Sequence, residues 1–80
     1  MNGWCRFISE DAQKIGIRYS LGNEPECDGE LTFNKTTLEI QIMRLSNGAT
    51  APLTNHFICS VRGKIRRGFE LNKLYYLAVG

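Results

Sequence analysis

The period of the apolar pattern changes once along the chain, near residue 53, and this change restricts the fold to strands combined with a single helix. Residues 15–21 and 37–45 alternate between apolar and polar side chains. A period of two is typical of a half-buried β-strand. Beyond residue 53, Phe57, Val61 and Ile65 recur four residues apart, which is the spacing of one face of a helix.

Four strands are predicted before this change, and they form two hairpins separated by a turn-rich loop at 22–29. The predicted strands cover residues 4–9, 15–21, 30–34 and 37–45. A last strand is predicted at 74–79, where the side chains are almost continuously apolar. Such a run is typical of a strand that is covered on both faces or lies in the interior of a sheet.

The helix is predicted over residues 54–67, because start and stop signals flank the apolar pattern. Thr54 or Asn55 can act as the N-cap, with Pro52 just ahead. Basic side chains crowd the last turn, where they favour the negative end of the helix dipole. Gly68 is suited to end the helix.

An alternative for the same segment is a further hairpin. Gly63 lies in the middle of the predicted helix, where glycine costs roughly 1 kcal/mol relative to alanine. Residues 57–61 can also form a strand that turns at Arg62 and Gly63. The capping and charge signals favour the helix.

These elements predict one small α+β domain that spans residues 1–80. It has two β-hairpins, one helix at about 54–67 packed on a mainly antiparallel sheet, and a C-terminal strand. Eighty residues leave room for a single core only. Hydrophobic residues make up 42% of the chain, which is a normal supply for a folded domain.

The composition favours a cytoplasmic protein without a membrane partner. Residues 1–6 lack the basic and apolar regions of a secretory signal. The longest strongly apolar run is far shorter than the roughly 20 residues that span a bilayer. Cys5, Cys27 and Cys59 are an odd number at wide spacing, which indicates reduced thiols rather than a disulfide framework.

Charge is unevenly distributed along the chain. Residues 1–52 hold five basic and seven acidic side chains, whereas residues 53–80 hold five basic side chains against the single Glu70. Clustered cations of this kind can contact nucleic-acid phosphates or an acidic protein. The alternative is a solvated helix end that complements the dipole. The five cations, called the basic segment below, are Arg62, Lys64, Arg66, Arg67 and Lys73.

The tripeptide 67–69 matches the opening of an RNA-binding consensus, K/R-G-F/Y. Glu70 and Leu71 break the match at the next two positions. The corresponding RNA-recognition fold also needs two helices, and only one is predicted here. Chance is the preferred explanation for this match.

Two further clusters are weak candidates for a metal site. His56 and Cys59, three residues apart, can combine with Cys5 and Cys27 as zinc ligands, or act alone as a Cys–His nucleophile. No C-x-x-C pair is present, and packing and surface roles are the simpler interpretation. The acidic cluster can bind a hard cation or simply keep an edge strand soluble; its members are Glu24, Glu26, Asp28 and Glu30. No metal or other cofactor is predicted.

The chain resembles short uncharacterised bacterial proteins of the Firmicutes type. The resemblance rests on residues 27–30, on the hairpin that follows through Leu45, and on the ending from Gly68 through 74–80. It spans roughly the C-terminal two-thirds of the chain. It implies a bacterial cytoplasmic protein, and because that family has no known activity, it implies no role for any residue.

The function predicted from these features is that of a non-enzymatic interaction domain that associates with itself or binds another protein. No phosphate-binding loop, dinucleotide fingerprint or nucleophile elbow is present. The predicted strands offer more surface than one short helix can cover, and uncovered edges favour dimerisation. The alternative is a small nucleic-acid-binding protein that uses the basic segment.

Overall fold

A computed structural model of the chain describes residues 2–23 and 25–78. These residues form five strands and one helix: β1 (Asn2–Glu10), β2 (Lys14–Leu21), β3 (Gly29–Asn34), β4 (Ile40–Arg44), α1 (Ala51–Arg67) and β5 (Leu74–Ala78). The predicted α+β class, with one helix on an antiparallel sheet and a C-terminal strand, is confirmed. The last residue of the predicted strand 74–79, Val79, lies outside the described residues.

The five strands form one antiparallel sheet in the order β4-β3-β2-β1-β5. The first four strands follow one another in space as they do in sequence. The chain then crosses one face of the sheet as α1. After the helix, β5 pairs with β1 on the side that β2 does not occupy. The prediction that the last strand lies in the interior or is covered on both faces is therefore wrong. β5 is an edge strand, and its central Tyr76 is 45% exposed.

The core lies between α1 and one face of the sheet. Phe57 and Val61 of the helix are fully buried, and Ile65 packs against the same cluster, as the helical spacing predicts. The strands supply the alternate residues of each apolar pattern, which on β2 are Ile15, Ile17 and Tyr19. The core cluster consists of Cys5, Phe7, Ile15, Ile17, Tyr19, Leu31, Phe33, Phe57, Ile58, Val61 and Leu77.

The helix begins three residues earlier than predicted. Thr50 is the N-cap, and its side chain accepts a hydrogen bond from the Leu53 backbone N–H at 3.4 Å. Pro52 therefore lies in the first turn, where its missing N–H is not needed. Thr54, one of the two predicted caps, is fully buried instead, and its hydroxyl lies 3.1 Å from the Tyr19 hydroxyl.

The helix ends as predicted, and the alternative hairpin does not form. Gly68 has a φ of 105°, and its N–H donates to the Lys64 carbonyl at 3.0 Å. The helix runs through Gly63 without interruption. Among the described residues, no helix is long and apolar enough to cross a bilayer.

The turn between β3 and β4 is longer than predicted, so β4 starts at Ile40 rather than at residue 37. The Asn34 side chain accepts hydrogen bonds from the N–H groups of Thr36 and Thr37 at 2.8 and 3.0 Å. An asparagine that binds its own backbone in this way stabilises a turn over a strand. Leu38, with a φ of 64°, completes the reversal.

Candidate interaction surfaces

The edge strand β5 carries no charged residue. Its sequence is LYYLA. One side of β5 pairs with β1, and the other side is a free edge of the sheet. Sheet edges are usually protected from other strands by lysine, proline or a bulge. The opposite edge, β4, has such protection, since it carries Arg44 and an irregular register against β3.

A groove of about 450 Å³ separates this edge from the helix. It is lined by Cys59, Ser60, Gly63 and Arg67 of α1 and by Tyr76, Leu77 and Ala78 of β5. Because Gly63 has no side chain, the helix side of the groove is shallow at this position. The Ser60 hydroxyl donates to the Ala78 carbonyl at 3.3 Å and holds helix and strand together at the base.

The face of the sheet opposite α1, called the open face, has no helix against it in the described residues. On β1, Cys5 and Phe7 are buried beneath the helix, so Trp4 and Arg6 point to the open face. Trp4 is paired in register with Tyr76, and their ring centroids are 4.7 Å apart. These two rings form the aromatic row.

A second row, called the arginine row, crosses the open face beside the aromatic row. Arg6 is opposite Arg18, Arg18 is opposite Glu30, and Glu30 is opposite Arg44. Glu30 lies 3.5 Å from Arg18 and 3.0 Å from Arg44. Two cations, Arg18 and Arg44, therefore share the Glu30 carboxylate. Arg6 donates a hydrogen bond to the Asn72 carbonyl at 3.1 Å.

A shift in register places Arg44 on the open face. Ile42 is opposite Leu31 and faces the core, whereas Arg44 is opposite Glu30, so Met43 is an extra residue in β4. Strict alternation would direct Arg44 toward the helix side. Bulges commonly redirect a side chain in this way, and the ion pair with Glu30 shows where this side chain lies.

The basic segment does not form one surface. Arg62 donates to the Leu38 carbonyl and, with Arg66, lines a pocket of about 160 Å³ beside the β3–β4 turn. Lys64 and Lys73 lie over the Tyr75 ring, with Nζ atoms 4.3 and 5.5 Å from its centroid. The remaining member, Arg67, is exposed at the groove beside β5. Lys73 is also 3.5 Å from the Glu70 carboxylate.

The cysteines are free thiols in very different surroundings. Cys5 and Cys27 are buried, and Cys59 is exposed on α1. Burial raises the pKa of Cys5 to about 12, and the nearby Cys27 adds to the shift. Burial also raises the pKa of Cys27, although a hydrogen bond with Ser20 opposes this.

The two weak candidates for a metal site do not assemble. His56 is exposed on the helix, and within residues 2–23 and 25–78 no three His, Cys, Asp or Glu side chains could hold a metal ion. In the acidic cluster, Asp28 accepts a hydrogen bond from the Asn47 N–H at 3.0 Å, and Glu30 belongs to the arginine row. Glu26 is exposed, and Glu24 lies outside the described residues.

Comparison with known proteins does not favour any one of these surfaces. No family model matches the chain, and no match is found among curated proteins or among solved structures.

Sequence reasoning missed the two rows of the open face. Trp4 and Tyr76 become neighbours only through the pairing of β1 with β5, which no local pattern indicates. The alternation of residues 15–21 did place Arg18 on the polar face of its strand. That signal alone could not show which side chains join Arg18 from the other strands.

Proposed function

We propose that this chain is a non-enzymatic interaction domain that self-associates when the β5 strands of two copies pair edge to edge. The observation that carries the proposal is the uncharged edge of β5 beside an open groove. An unprotected edge of this kind presents unpaired backbone groups to another chain. The sequence resemblance and the three free thiols support a setting in the bacterial cytoplasm.

The dimensions of the edge suit a symmetric pair. Tyr76 is the middle residue of β5, so a two-fold axis beside it would align the whole strand with its copy in antiparallel register. Most homodimers use a two-fold axis, and the same patch then contributes twice. The product would be one ten-stranded sheet with a helix from each copy on the same side.

The groove supports the same arrangement. A strand added beside β5 needs space under the flank of α1, and the groove of about 450 Å³ offers that space. Arg67 at its rim is exposed and can move away from an incoming strand. A larger residue in place of Gly63 would narrow the entrance.

The first experiment measures mass in solution by sedimentation equilibrium at micromolar protein concentration. We expect a concentration-dependent dimer. Tyr76→Lys would place two lysines opposite each other across the axis, where like charges repel. We expect this variant to associate at least about tenfold more weakly, a change of about 1.4 kcal/mol.

Met43→Lys is the matched control. Met43 is 56% exposed, so the same charge is introduced on the other edge strand. It should leave the dimer intact. A monomeric parent protein would refute the proposal, and loss of the dimer in Met43→Lys alone would assign the contact to β4.

A further inference from the structure

The open face combines aromatic rings with an excess of guanidinium groups, and this combination has a ligand chemistry of its own. Tyr76 is 45% exposed next to the partly buried Trp4. Nucleic-acid bases stack on such rings without requiring a particular sequence. We propose that the open face binds single-stranded nucleic acid, with bases on the aromatic row and phosphates on the arginine row. The proposal does not depend on dimerisation, since it uses the Tyr76 ring on the face of the sheet, whereas dimerisation would use the backbone edge of β5.

The arginine row contains a conflict that an anion would relieve. Arg6 and Arg18 are directly opposite each other on neighbouring strands, and like charges in that position destabilise a sheet. Glu30 is shared between Arg18 and Arg44, so it cannot neutralise the row. Local conflicts of this kind occur mainly at functional sites. A phosphate diester, with one negative charge, suits the site.

The spacing of the two rows fits one nucleotide. Trp4 and Arg6 are two residues apart on β1, a distance of about 6.8 Å along an antiparallel strand. This is comparable with the reach from a base to its own phosphate. Successive nucleotides could then cross the strands, with the rings beneath the bases and the guanidinium groups beside the backbone.

A depression lined mainly by polar residues extends the open face away from the aromatic row. It has a volume of about 350 Å³ and lies where β2, β3 and β4 meet the β3–β4 turn. Lys14 offers a further cation, and Asn34 and Gln41 offer amide groups that can hydrogen-bond exposed base edges. Glu39 also lines this depression, which favours contact with bases over phosphates there.

Two other partners fit less well. A duplex conceals the faces of its bases, so the aromatic row could contribute no stacking. An acidic protein would satisfy the arginine row but would leave the rings without a specific role.

The fluorescence of Trp4 can report binding at this site. Trp4 is the single tryptophan and belongs to the aromatic row, so stacking of a base nearby should quench its fluorescence. The experiment titrates the full chain with a single-stranded oligothymidylate at about 50 and about 200 mM salt. We expect saturable quenching that requires severalfold more oligonucleotide at the higher salt.

Two double variants with equal charge change locate the contact. Arg18→Gln with Arg44→Gln removes two cations from the open face, and both side chains are substantially exposed. Arg66→Gln with Arg67→Gln removes two exposed cations from the helix end. We expect the open-face pair to weaken binding at least about tenfold and to lower the salt slope by about 1.4, from two lost single-strand contacts. The helix pair should change the affinity less than about threefold.

Four outcomes would overturn the proposal. They are absence of quenching at the lower salt, equal binding of a duplex, equal quenching by polyglutamate, and loss of binding only in the helix pair. The last would assign nucleic-acid binding to the basic segment. The third would assign the face to an acidic protein. Circular dichroism of both double variants confirms that any loss reflects the site rather than unfolding.

Discussion

At the scale of single residues, the Tyr19 hydroxyl joins three parts of the chain. It lies 3.1 Å from the Thr54 hydroxyl of α1 and accepts a hydrogen bond from the Ser46 N–H at 3.1 Å. All three residues are buried. The hydroxyl therefore fixes the loop before α1 and the start of the helix to the second strand.

Tyr19→Phe should destabilise the protein by about 1–3 kcal/mol, because it leaves a buried N–H and a buried hydroxyl without their partner. Urea denaturation followed by circular dichroism measures the change. Thr54→Val is the control, since the tyrosine would keep its bond to Ser46, and we expect a smaller loss. Equal midpoints for Tyr19→Phe and the parent protein would show that the bonds contribute nothing.

At the scale of the elements, two glycines of the helix have opposite requirements. Gly63 has helical geometry inside α1, and a Cβ there would lie 3.2 Å from the Arg67 Nη1 atom. Gly68, which ends the helix, has a φ of 105° and open space around it. Backbone conformation, rather than space, therefore decides what Gly68 tolerates.

Gly63→Ala should stabilise the helix by up to about 1 kcal/mol, whereas Gly68→Ala should destabilise it by about 1–2 kcal/mol because of its left-handed φ. Thermal and urea unfolding of the two single variants provide the comparison. A loss of stability in Gly63→Ala would mean that the displaced Arg67 side chain costs more than the gain in helix propensity.

The type of an element was predictable where the periodic apolar pattern extends over many residues, whereas the boundaries of the elements were not. The alternation at 15–21 and the helical spacing from Phe57 to Ile65 correctly predicted β2 and α1. The N-cap was misplaced because Thr50 and Thr54 offer the same capping chemistry. The choice between them depends on the tertiary bond between Thr54 and Tyr19, which the local sequence does not contain.

At the scale of the whole molecule, β1 organises the fold, because it pairs with β2 on one side and β5 on the other. Cys5, in the middle of that strand, is fully buried beneath α1. Its exposure requires the helix or β5 to separate from the sheet. The reactivity of this thiol is therefore a measure of how often α1 or β5 separates from the sheet.

At pH 8, we expect a thiol reagent such as DTNB to label Cys59 rapidly and Cys5 and Cys27 only at the rate of unfolding. Thiolates are the reactive form, and the pKa of Cys5 is raised to about 12. Because the pKa of this thiol is 9.0 without burial, the free energy of unfolding should fall as pH rises above 9. Cys59→Ser should remove the fast phase. Equal rates for all three cysteines would contradict the expected burial.

The candidate surfaces were the least predictable part of the molecule. The basic segment lies within residues 62–73 of the sequence, yet α1 and the loop after it distribute the five cations over three places. The two rows of the open face arise from residues of all five strands, and they depend on strand order and on the irregular register of β4. Both properties are set by the whole fold.

The pairing of β1 with β5 also sets the order in which the sheet can form. β1 ends at Glu10 and β5 begins at Leu74, whereas β1 to β4 meet through short local connections. Closing the long segment between β1 and β5 has a larger entropic cost than closing any hairpin of the sheet. During synthesis on the ribosome, β1 therefore keeps one edge unpaired until β5 has emerged. In that interval, the β5 of a neighbouring chain can take the same place, which makes strand exchange between copies the characteristic misfolding route of this topology.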